Sequence, residues 1–393
     1  MSWPRVLIAG GSIGGLTAAV LLRDLGCEVD VYERSSAALE DRGAGIVVLP
    51  VTERYFRERT EADTRVSLEL TYWSYMDRLG NVVSADPDHF RFSGWSTIYR
   101  ALLDSFDADR YHLGHEMVGF EDGDDGVTTH FANGASAQGD LLVCADGLSS
   151  TGRAILMPEV QPVYSGYVAW RGTTPETALS PNAMADLADA MIYQVLDPGH
   201  ILVYAIPDHL GRSTPPHRVI NFVWYRNYPE GGRFEDLMLG EDGERRSATM
   251  PPGSIRPEHL TEMRATAQET LAPTLLEVVL GCEQPLIQAV FDLESPRMAF
   301  GRICLIGDAA AGLRPHVAAG QAKACADGWA LRDAIAKHQD DVVAALTEWE
   351  PTQLALARHA LSRTRAMGLA SQFEGTMVPG DPAWKFGLWE PGN

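Results

Sequence analysis

A glycine-rich turn near the N-terminus has the residue types of a phosphate-binding loop. It stands between an apolar stretch, Val6 to Ala9, that predicts a β-strand, and a stretch from Leu16 that predicts a helix. Small residues there let the backbone approach a pyrophosphate, whose charge the N–H groups at the helix N-terminus stabilise. Ser12 replaces the middle glycine of a GxGxxG pattern, which weakens the signal. The turn consists of Gly10, Gly11, Ser12, Ile13, Gly14 and Gly15.

A carboxylate, Glu33, ends the next predicted strand. A carboxylate at this place can accept hydrogen bonds from ribose hydroxyls and would repel a 2′-phosphate. We assign Arg34, which follows it, to the same site. The turn and Glu33 together predict a dinucleotide site, but they do not distinguish NAD from FAD.

Two later segments contain aspartates next to glycines. Residues 144–153 read CADGLSSTGR and include Asp146, whereas residues 301–310 read GRICLIGDAA and include Asp308, with Pro315 further on. In this order, the turn and both segments resemble the three motifs of the group A flavin monooxygenases, which are FAD-dependent aromatic hydroxylases of the p-hydroxybenzoate hydroxylase-like superfamily. Cys144 and Ala311 depart from the family pattern, and neither change removes a group that the chemistry needs.

The resemblance implies non-covalent FAD, with NADH or NADPH as a transient reductant and O2 as co-substrate. An aspartate at the C-terminal end of a strand can hold the ribityl hydroxyls, which is the role expected for Asp308, and the following helix N-terminus can stabilise charge on a reduced flavin. The family pattern places Asp146 as a brace and Arg100 near the phosphates; an ordinary turn and a solvated helix arginine are the alternatives. Other residues assigned to the cofactor site are Gly45 and Ile46 of the turn at 43–46, Val118, Pro315, Ala318, Ala319 and Gly320.

Within this family, the segments GAGIVVLP at 43–50, YSGYVAWRG at 164–172 and GHILVYAIP at 199–207 resemble those of the hydroxypyridine hydroxylases. The resemblance implies a small electron-rich ring as substrate, a (di)hydroxypyridine such as 2,6-dihydroxypyridine, hydroxylated through a C4a-hydroperoxyflavin. Such a reaction needs a base near the ring hydroxyl and exclusion of water. His200 and Tyr204 point to one side of a predicted strand, and either could orient or deprotonate the substrate. His316, next to Pro315, is a second candidate base. The ring pocket is predicted to include Tyr193, Asn221 and Trp224, although core packing is an alternative role for each of them.

Other readings of these motifs remain open. A flavin dehydrogenase or oxidase on the same fold would turn over without inserting oxygen, and a regulatory flavoprotein would bind FAD without substrate-stimulated NAD(P)H oxidation. A hydroxylase of a larger phenolic natural product would need a wider pocket.

The order of the predicted strands and helices that would position these residues indicates an α/β fold with an α+β insert. It consists of a Rossmann-like FAD-binding domain, an inserted β-sheet substrate domain and C-terminal helices. Aromatic, β-rich segments between Tyr164 and Tyr228 predict the insert, and Gly231 to Pro257 predicts an exposed connection. Helices are expected over Pro257 to Leu280, Ala318 to Lys337 and Val342 to Met367. The predicted domain parts are FAD-binding at 1–70, 101–162 and 286–340, substrate-binding at 71–100 and 163–285, and a helical segment at 341–393.

Composition limits the partners. There are 53 acidic and 32 basic residues, a formal charge of −21, and such a field disfavours nucleic acid and anionic membranes. The five cysteines are scattered and form no CxxC pair, which argues against disulfides and metal sites. We expect no metal, a cytoplasmic location, a small aromatic substrate and, from the resemblance, a homodimer.

Overall fold

The computed structural model describes residues 3–39, 44–59 and 66–392. Within these residues the chain forms two large β-sheets, one three-stranded sheet and helices that cover them. One hydrophobic core lies around each of the large sheets.

The first sheet is the predicted dinucleotide-binding element. Its strands have the spatial order β17-β18-β10-β1-β2-β6, parallel except for the edge strand β17. Because both faces are covered, the central strands β1 and β10 are almost continuously apolar and buried. The bounds are β1 Arg5–Ala9, β2 Glu28–Glu33, β6 Tyr111–Leu113, β10 Leu141–Cys144, β17 Ala299–Phe300 and β18 Ile303–Leu305.

The second sheet has nine strands in the order β15-β16-β11-β14-β13-β12-β4-β5-β3. Its neighbours pair antiparallel, except that β12 pairs with β4 in parallel. The bounds are β3 Gly45–Val48, β4 Leu68–Met76, β5 Val82–Gly94, β11 Val163–Pro175, β12 Ala190–Val195, β13 His200–Ile206, β14 Val219–Asn227, β15 Thr249–Met250 and β16 Leu286–Asp292.

This sheet curls until its far strands face its middle. The ring of Phe92 on β5 lies 4.5 Å from the ring of Tyr204 on β13, and the backbone N of Gly45 on β3 donates to Asn221 on β14. The curled sheet therefore makes a concave wall that faces the first sheet.

A small antiparallel sheet and the helices complete the fold. The turns at Asp125-Gly126 and Asn133-Gly134 join its three strands. The strands are β7 Met117–Gly123, β8 Gly126–Phe131 and β9 Ser136–Gly139; the helices are α1 Ile13–Leu25, α2 Pro50–Arg59, α3 Trp95–Asp104, α4 Thr151–Leu156, α5 Pro181–Asp186, α6 Gly232–Leu237, α7 Pro257–Thr270, α8 Pro273–Gly281, α9 Gly320–His338 and α10 Val342–Leu369. None of the helices in the described ranges is both long and apolar enough to cross a membrane.

Three expectations about individual elements need correction. The segment Gly231 to Pro257, expected to be a plain connection, contains α6 and the strand β15, which pairs with β16. The helix expected over Pro257 to Leu280 is two helices, because Pro273 lacks the N–H that a continuous helix would need and starts α8 instead. The helix expected over Ala318 to Lys337 begins at Gly320, since Ala318 has a left-handed backbone with φ of 55°.

The predicted domain boundaries depart from the sheets at two places. β3 and the start of β4 fall in the part expected to bind the dinucleotide, and β16 in another such part, yet all three pair within the nine-stranded sheet. Hydrogen-bonded pairing, which local sequence does not specify, decides this membership. The boundaries themselves stay a prediction.

Candidate active site

Two adjoining cavities lie where the sheets meet. The larger, of about 340 Å³, is lined from both large sheets, and the smaller, of about 230 Å³, lies beside the first sheet. Residues from the glycine turn and from the segments around it line both cavities, so the two are neighbours across this turn: Ser12, Trp95, Ala145 and Gly147. A ligand with two ends joined by a linker would fit such a pair.

The glycine turn is packed too closely for side chains. A Cβ on Gly10, whose φ is +104°, would lie 2.3 Å from the carbonyl oxygen of Ala145, and one on Gly15 would lie 1.9 Å from the carbonyl oxygen of Gly10. α1 begins within this turn, at Ile13, and Ser12 at its N-cap makes no side-chain cap hydrogen bond. The first N–H groups of α1 are therefore available to an anion at the junction of the cavities.

Glu33 is buried and connects the turn to the smaller cavity. Its carboxylate accepts hydrogen bonds from the backbone N–H groups of Gly11 and Ser35, both at 2.9 Å. Glu33 and the exposed Arg34 both line the smaller cavity. The carboxylate thus holds the turn in place while facing the space predicted for a ribose.

Asp146 also lines the smaller cavity. Its Oδ2 accepts from the backbone N–H groups of Thr151 (2.8 Å) and Gly152 (3.2 Å), at the start of α4. Its Oδ1 is buried and has no hydrogen-bond partner within the described part of the chain. Burial raises the pKa of this carboxyl above its usual value, against the opposing effect of these hydrogen bonds. The arrangement fits the predicted bracing role.

Asp308 lies at the larger cavity, just after β18, and its side chain is exposed to that space. The residue before it is held by a buried ion pair on α9: Lys323 Nζ donates to the carbonyl oxygen of Gly307 (3.2 Å), and the Gly307 N–H donates to Asp327 (2.8 Å). Lys323 and Asp327 are 2.7 Å apart. Desolvation by the surrounding protein raises the pKa of Asp308, with a further rise from the Asp327 charge and an opposing effect of Lys323.

The turn that contains Gly45 is fixed from the second sheet. The Gly45 N–H donates to Asn221 Oδ1 (2.8 Å), and Arg171 Nη2 donates to the Gly45 carbonyl oxygen (2.7 Å). Gly45 and Ile46 line the larger cavity, whereas Gly43, the first residue of the predicted turn, lies outside the described residues. Two strands of the substrate sheet therefore position the edge strand β3 against the cavity.

His200 and Tyr204 lie on the same face of β13 and line the larger cavity together with Tyr193. Both ring nitrogens of His200 are buried and make no hydrogen bond to any described residue. Because burial disfavours the imidazolium, the pKa of His200 is lowered to about 3. Burial raises the pKa of Tyr204 to about 12, and the nearby Arg171 acts in the opposite direction. His200 is therefore a neutral potential proton acceptor.

His316 approaches the same space from the first sheet's side, directly after Pro315. Its ring is 5.3 Å from that of His200 and 4.6 Å from that of Tyr225. Its Nε2 lies 2.6 Å from the hydroxyl of Tyr167. Burial, His200 and Arg314 together lower its pKa well below the ordinary value. The two histidines are thus brought together from segments far apart in sequence.

Some predicted site residues lie elsewhere. Val223 and Tyr225 on β14 line the larger cavity. Trp224 lies on the opposite face of the same strand and does not line it. The Arg100 guanidinium donates to the carbonyl oxygen of His209, and 53% of the Val118 side chain is exposed. The predicted residues that line neither cavity are Gly11, Gly15, Arg100, Val118, Ala319, Asn221 and Trp224; of these, Asn221 acts on the cavity through Gly45.

Sequence reasoning missed several wall residues. Arg171, which the sequence analysis does not assign to the site, lines the larger cavity and donates to Gln288 (3.0 Å) as well as to Gly45. Alternation along β14 could have indicated Val223 and Tyr225, because they stand two and four residues from Asn221 on the same face. No local signal pointed to Phe386, which reaches the cavity from the C-terminal segment.

Comparison with known proteins agrees with this geometry. The FAD binding domain-like family matches residues 164–292. The chain is 36% identical over 385 residues to 2,6-dihydroxypyridine 3-monooxygenase of Paenarthrobacter nicotinovorans, covering 98% of this chain and 96% of that protein. This chain belongs to the FAD-dependent aromatic hydroxylases.

The fold of this hydroxylase agrees with that assignment. It superposes on the structure of 2,6-dihydroxypyridine-3-hydroxylase from Arthrobacter nicotinovorans with a TM-score of 0.93, at 34% identity and with 98% and 97% of the two chains covered. Aurachin C monooxygenase/isomerase of Stigmatella aurantiaca is 28% identical over 386 residues, with 94% and 90% covered. The prediction of a flavin-dependent aromatic monooxygenase of the α/β class with a β-sheet insert is confirmed.

The site residues fit FAD. The close-packed glycine turn and the N-terminus of α1 suit a pyrophosphate, and Glu33 in the smaller cavity suits the adenosine ribose. Asp308 at the larger cavity suits the ribityl hydroxyls. The side-chain amide of Gln321, in the first turn of α9, lines the larger cavity, and within the described chain both of its polar atoms are buried without a partner. Such an amide suits the polar edge of a flavin ring.

Proposed function

We propose that this hydroxylase uses FAD, NADH or NADPH and O2 to hydroxylate a small hydroxypyridine, with a dihydroxypyridine such as 2,6-dihydroxypyridine as the best candidate. The observation that carries the proposal is the imidazole of His200 at the wall of the larger cavity. This imidazole is buried and neutral, and it has no hydrogen-bond partner among the described residues. The named activity of the relative that is 36% identical supports the choice of substrate.

The size of the cavity supports a single ring as substrate. Its volume of about 340 Å³ has to accept both the flavin ring and the substrate, and this is near the lower end of the range of about 300–1,000 Å³ for ligand sites.

FAD, when bound, supplies the activated oxygen; the chain supplies binding, orientation and proton transfer. The neutral His200 accepts a hydrogen bond from the ring hydroxyl and takes its proton as oxygen adds to the ring, when that proton becomes far more acidic. Tyr204 and Tyr193 orient the ring. The aromatic wall, with Phe291 and Phe386, excludes water from the reacting atoms.

The remaining parts of the proposal concern the surroundings of the reaction. The reductant binds transiently, and O2 is the second co-substrate. We propose a cytoplasmic homodimer.

The test is a screen of the purified, FAD-loaded protein for NADH and NADPH oxidation in the presence of hydroxypyridines and phenols, with ¹⁸O2. We expect 2,6-dihydroxypyridine to stimulate oxidation at least about tenfold and one labelled oxygen to appear in the product. Stimulation without label would indicate a dehydrogenase or oxidase. Stimulation by bulky phenols alone would contradict the substrate assignment.

His200→Ala tests the base in the same assay. The variant should retain FAD, while hydroxylation falls by about 10²–10⁴-fold, the range for a lost general base, and more of the NADH oxidised ends as hydrogen peroxide. His217→Ala, at an exposed histidine, is the matched control and should keep wild-type coupling. Unchanged coupling in His200→Ala would rule out the role of this imidazole.

A further inference from the structure

The two buried histidines of the larger cavity have different surroundings. His200 has no hydrogen-bond partner among the described residues, on either ring nitrogen. His316 is engaged at Nε2, which lies 2.6 Å from the Tyr167 hydroxyl, while its Nδ1 is buried and without a partner in the described chain. Both residues are only 1% exposed. The chemistry that each ring offers to a ligand therefore depends on where its proton lies.

The Tyr167 hydroxyl is oriented by an ion pair behind it. Arg314 Nη1 lies 3.5 Å from the Tyr167 oxygen. Asp292 holds the same guanidinium with two hydrogen bonds, of 2.9 Å from Nε and 2.7 Å from Nη2. A guanidinium can only donate, so the tyrosine oxygen accepts from Arg314 and its own O–H donates to Nε2 of His316.

The opposite arrangement leaves a buried donor unsatisfied. If Nε2 of His316 carried the proton and donated to Tyr167, the tyrosine O–H would need another acceptor. No other acceptor is recorded for it within residues 3–39, 44–59 and 66–392. An unsatisfied buried donor costs about 1–3 kcal/mol, which is enough to make this tautomer a minor one.

We infer that Asp292, Arg314 and Tyr167 fix His316 as the Nδ1–H tautomer, a permanent hydrogen-bond donor to an acceptor atom on the substrate ring, whereas His200 remains the proton acceptor. Tyr167 and Arg314 are then positioning residues, since they act only through His316. The pair of histidines selects rings that carry both an ionisable hydroxyl and a second oxygen or nitrogen acceptor. The tautomer stands on the geometry alone, and the ligand role rests on the proposed function.

The tautomer can be measured without any activity assay. In FAD-loaded protein labelled with ¹⁵N-histidine, we expect neutral His316 to show a protonated Nδ1 and an unprotonated Nε2, with the signals assigned by their loss in His316→Gln. Tyr167→Phe should convert them to a mixture or to the Nε2–H form. Tyr225→Phe removes another buried hydroxyl beside the same ring, one that makes no hydrogen bond to His316, and should leave the tautomer unchanged. A wild-type Nε2–H form, or no change in Tyr167→Phe, would overturn the inference.

The ligand role is tested with matched rings. For a hydroxypyridone, Tyr167→Phe should raise the dissociation constant, followed by flavin absorbance, about tenfold, the effect of one lost hydrogen bond. For a phenol of the same size without the second acceptor, it should change the constant by less than twofold. Equal effects on both rings would refute the selection. If the wild type binds no hydroxypyridine while the tautomer is as expected, the proposed function is wrong, but the inferred tautomer of His316 is still supported.

Discussion

Asp308 and His200 are both ionisable groups at one cavity, but their surroundings give them different tasks. Asp308 is exposed to the cavity at the end of a strand, whereas His200 is enclosed by aromatic rings, with Tyr193 at 5.6 Å and Tyr225 at 4.6 Å between ring centres. The first can bind hydroxyl groups of a ligand. The second is kept neutral by the same burial that would make a charge costly.

Replacement of Asp308 by Ala should weaken FAD binding by about 10–150-fold, since it removes hydrogen bonds to a charged group, worth about 1.5–3 kcal/mol. The dissociation constant can be measured by flavin fluorescence titration of apoprotein, and the purified variant should be largely colourless. Asp333→Ala, at an exposed residue of α9, should bind FAD like the wild type. Retention of full flavin content in Asp308→Ala would contradict the assignment to the ribityl chain.

Stability should fall in acid because of His200. Burial lowers its pKa from 6.5 to about 3, so between these values the unfolded imidazole binds a proton that the folded one does not. Its contribution is complete above pH 6.5 and is lost as the pH falls toward 3. At pH 5 the loss relative to pH 7.5 amounts to about 2 kcal/mol from this residue.

The measurement compares urea unfolding of the wild type and His200→Asn at pH 7.5 and pH 5, with saturating FAD. The difference in unfolding free energy between the two pH values should be smaller in His200→Asn by about 2 kcal/mol. His217→Asn should show the wild-type difference, because its side chain is exposed. An equal pH dependence in His200→Asn and the wild type would mean that this histidine is not kept neutral.

At the scale of elements, helix α9 positions Asp308, the aspartate that we propose binds the cofactor, through a buried ion pair. Lys323 and Asp327, one turn apart on α9, satisfy both the N–H and the carbonyl oxygen of Gly307. Neither side chain is exposed. The strand-to-helix connection that presents Asp308 is therefore fixed from α9, and not only by its own sequence.

Lys323→Met should destabilise the fold by about 3–5 kcal/mol, because it leaves the Asp327 charge buried and unpaired. The double variant Lys323→Met with Asp327→Asn should recover part of this loss, since it has no charge and still offers an oxygen to the Gly307 N–H. Urea unfolding measures all three proteins. Lys337 also lies on α9 and forms an exposed pair with Glu348 of α10; Lys337→Met should cost at most about 1 kcal/mol. A double variant as unstable as Lys323→Met would show that the unpaired charge is not the cause.

At the scale of the molecule, FAD would join the two large sheets. The smaller cavity lies beside the first sheet, and the larger is bounded by both. A ligand that binds only the folded state stabilises it by RT ln(1 + [L]/Kd), about 4 kcal/mol at 1,000 times Kd. If FAD occupies both cavities, as we propose, its effect should exceed that of any fragment.

The prediction is a ranking of thermal stabilisation of apoprotein: FAD above FMN, and FMN above riboflavin, at equal concentration. FMN and riboflavin reach the larger cavity but lack the adenosine that would fill the cavity with Glu33 and Arg34. Differential scanning fluorimetry with a concentration series measures the shift of Tm for each. If FMN stabilised the protein as much as FAD, the smaller cavity would not be an adenosine site.

Much of the cofactor site could be predicted from sequence because its signals are local. The glycine turn, Glu33, Asp146 and Asp308 each stand at a strand end, and a short pattern of small and acidic residues is enough to indicate a strand, a turn and a helix. The same local rules predicted His200, Tyr193 and Tyr204 at the substrate wall. The class of fold and the enzyme family followed from these motifs in order.

The tertiary structure alone decided which distant side chains share one cavity. Three sets of contacts join segments more than 20 residues apart. Asn221 and Arg171 both hydrogen-bond to Gly45, and the rings of His200 and His316 lie side by side. Asp292 binds Arg314, which donates to Tyr167. The cause is the curl of the nine-stranded sheet and its packing against the first sheet, which depend on pairing between strands. The sequence determined the candidate groups for the chemistry; long-range packing decided their partners, and with them the surroundings of each histidine.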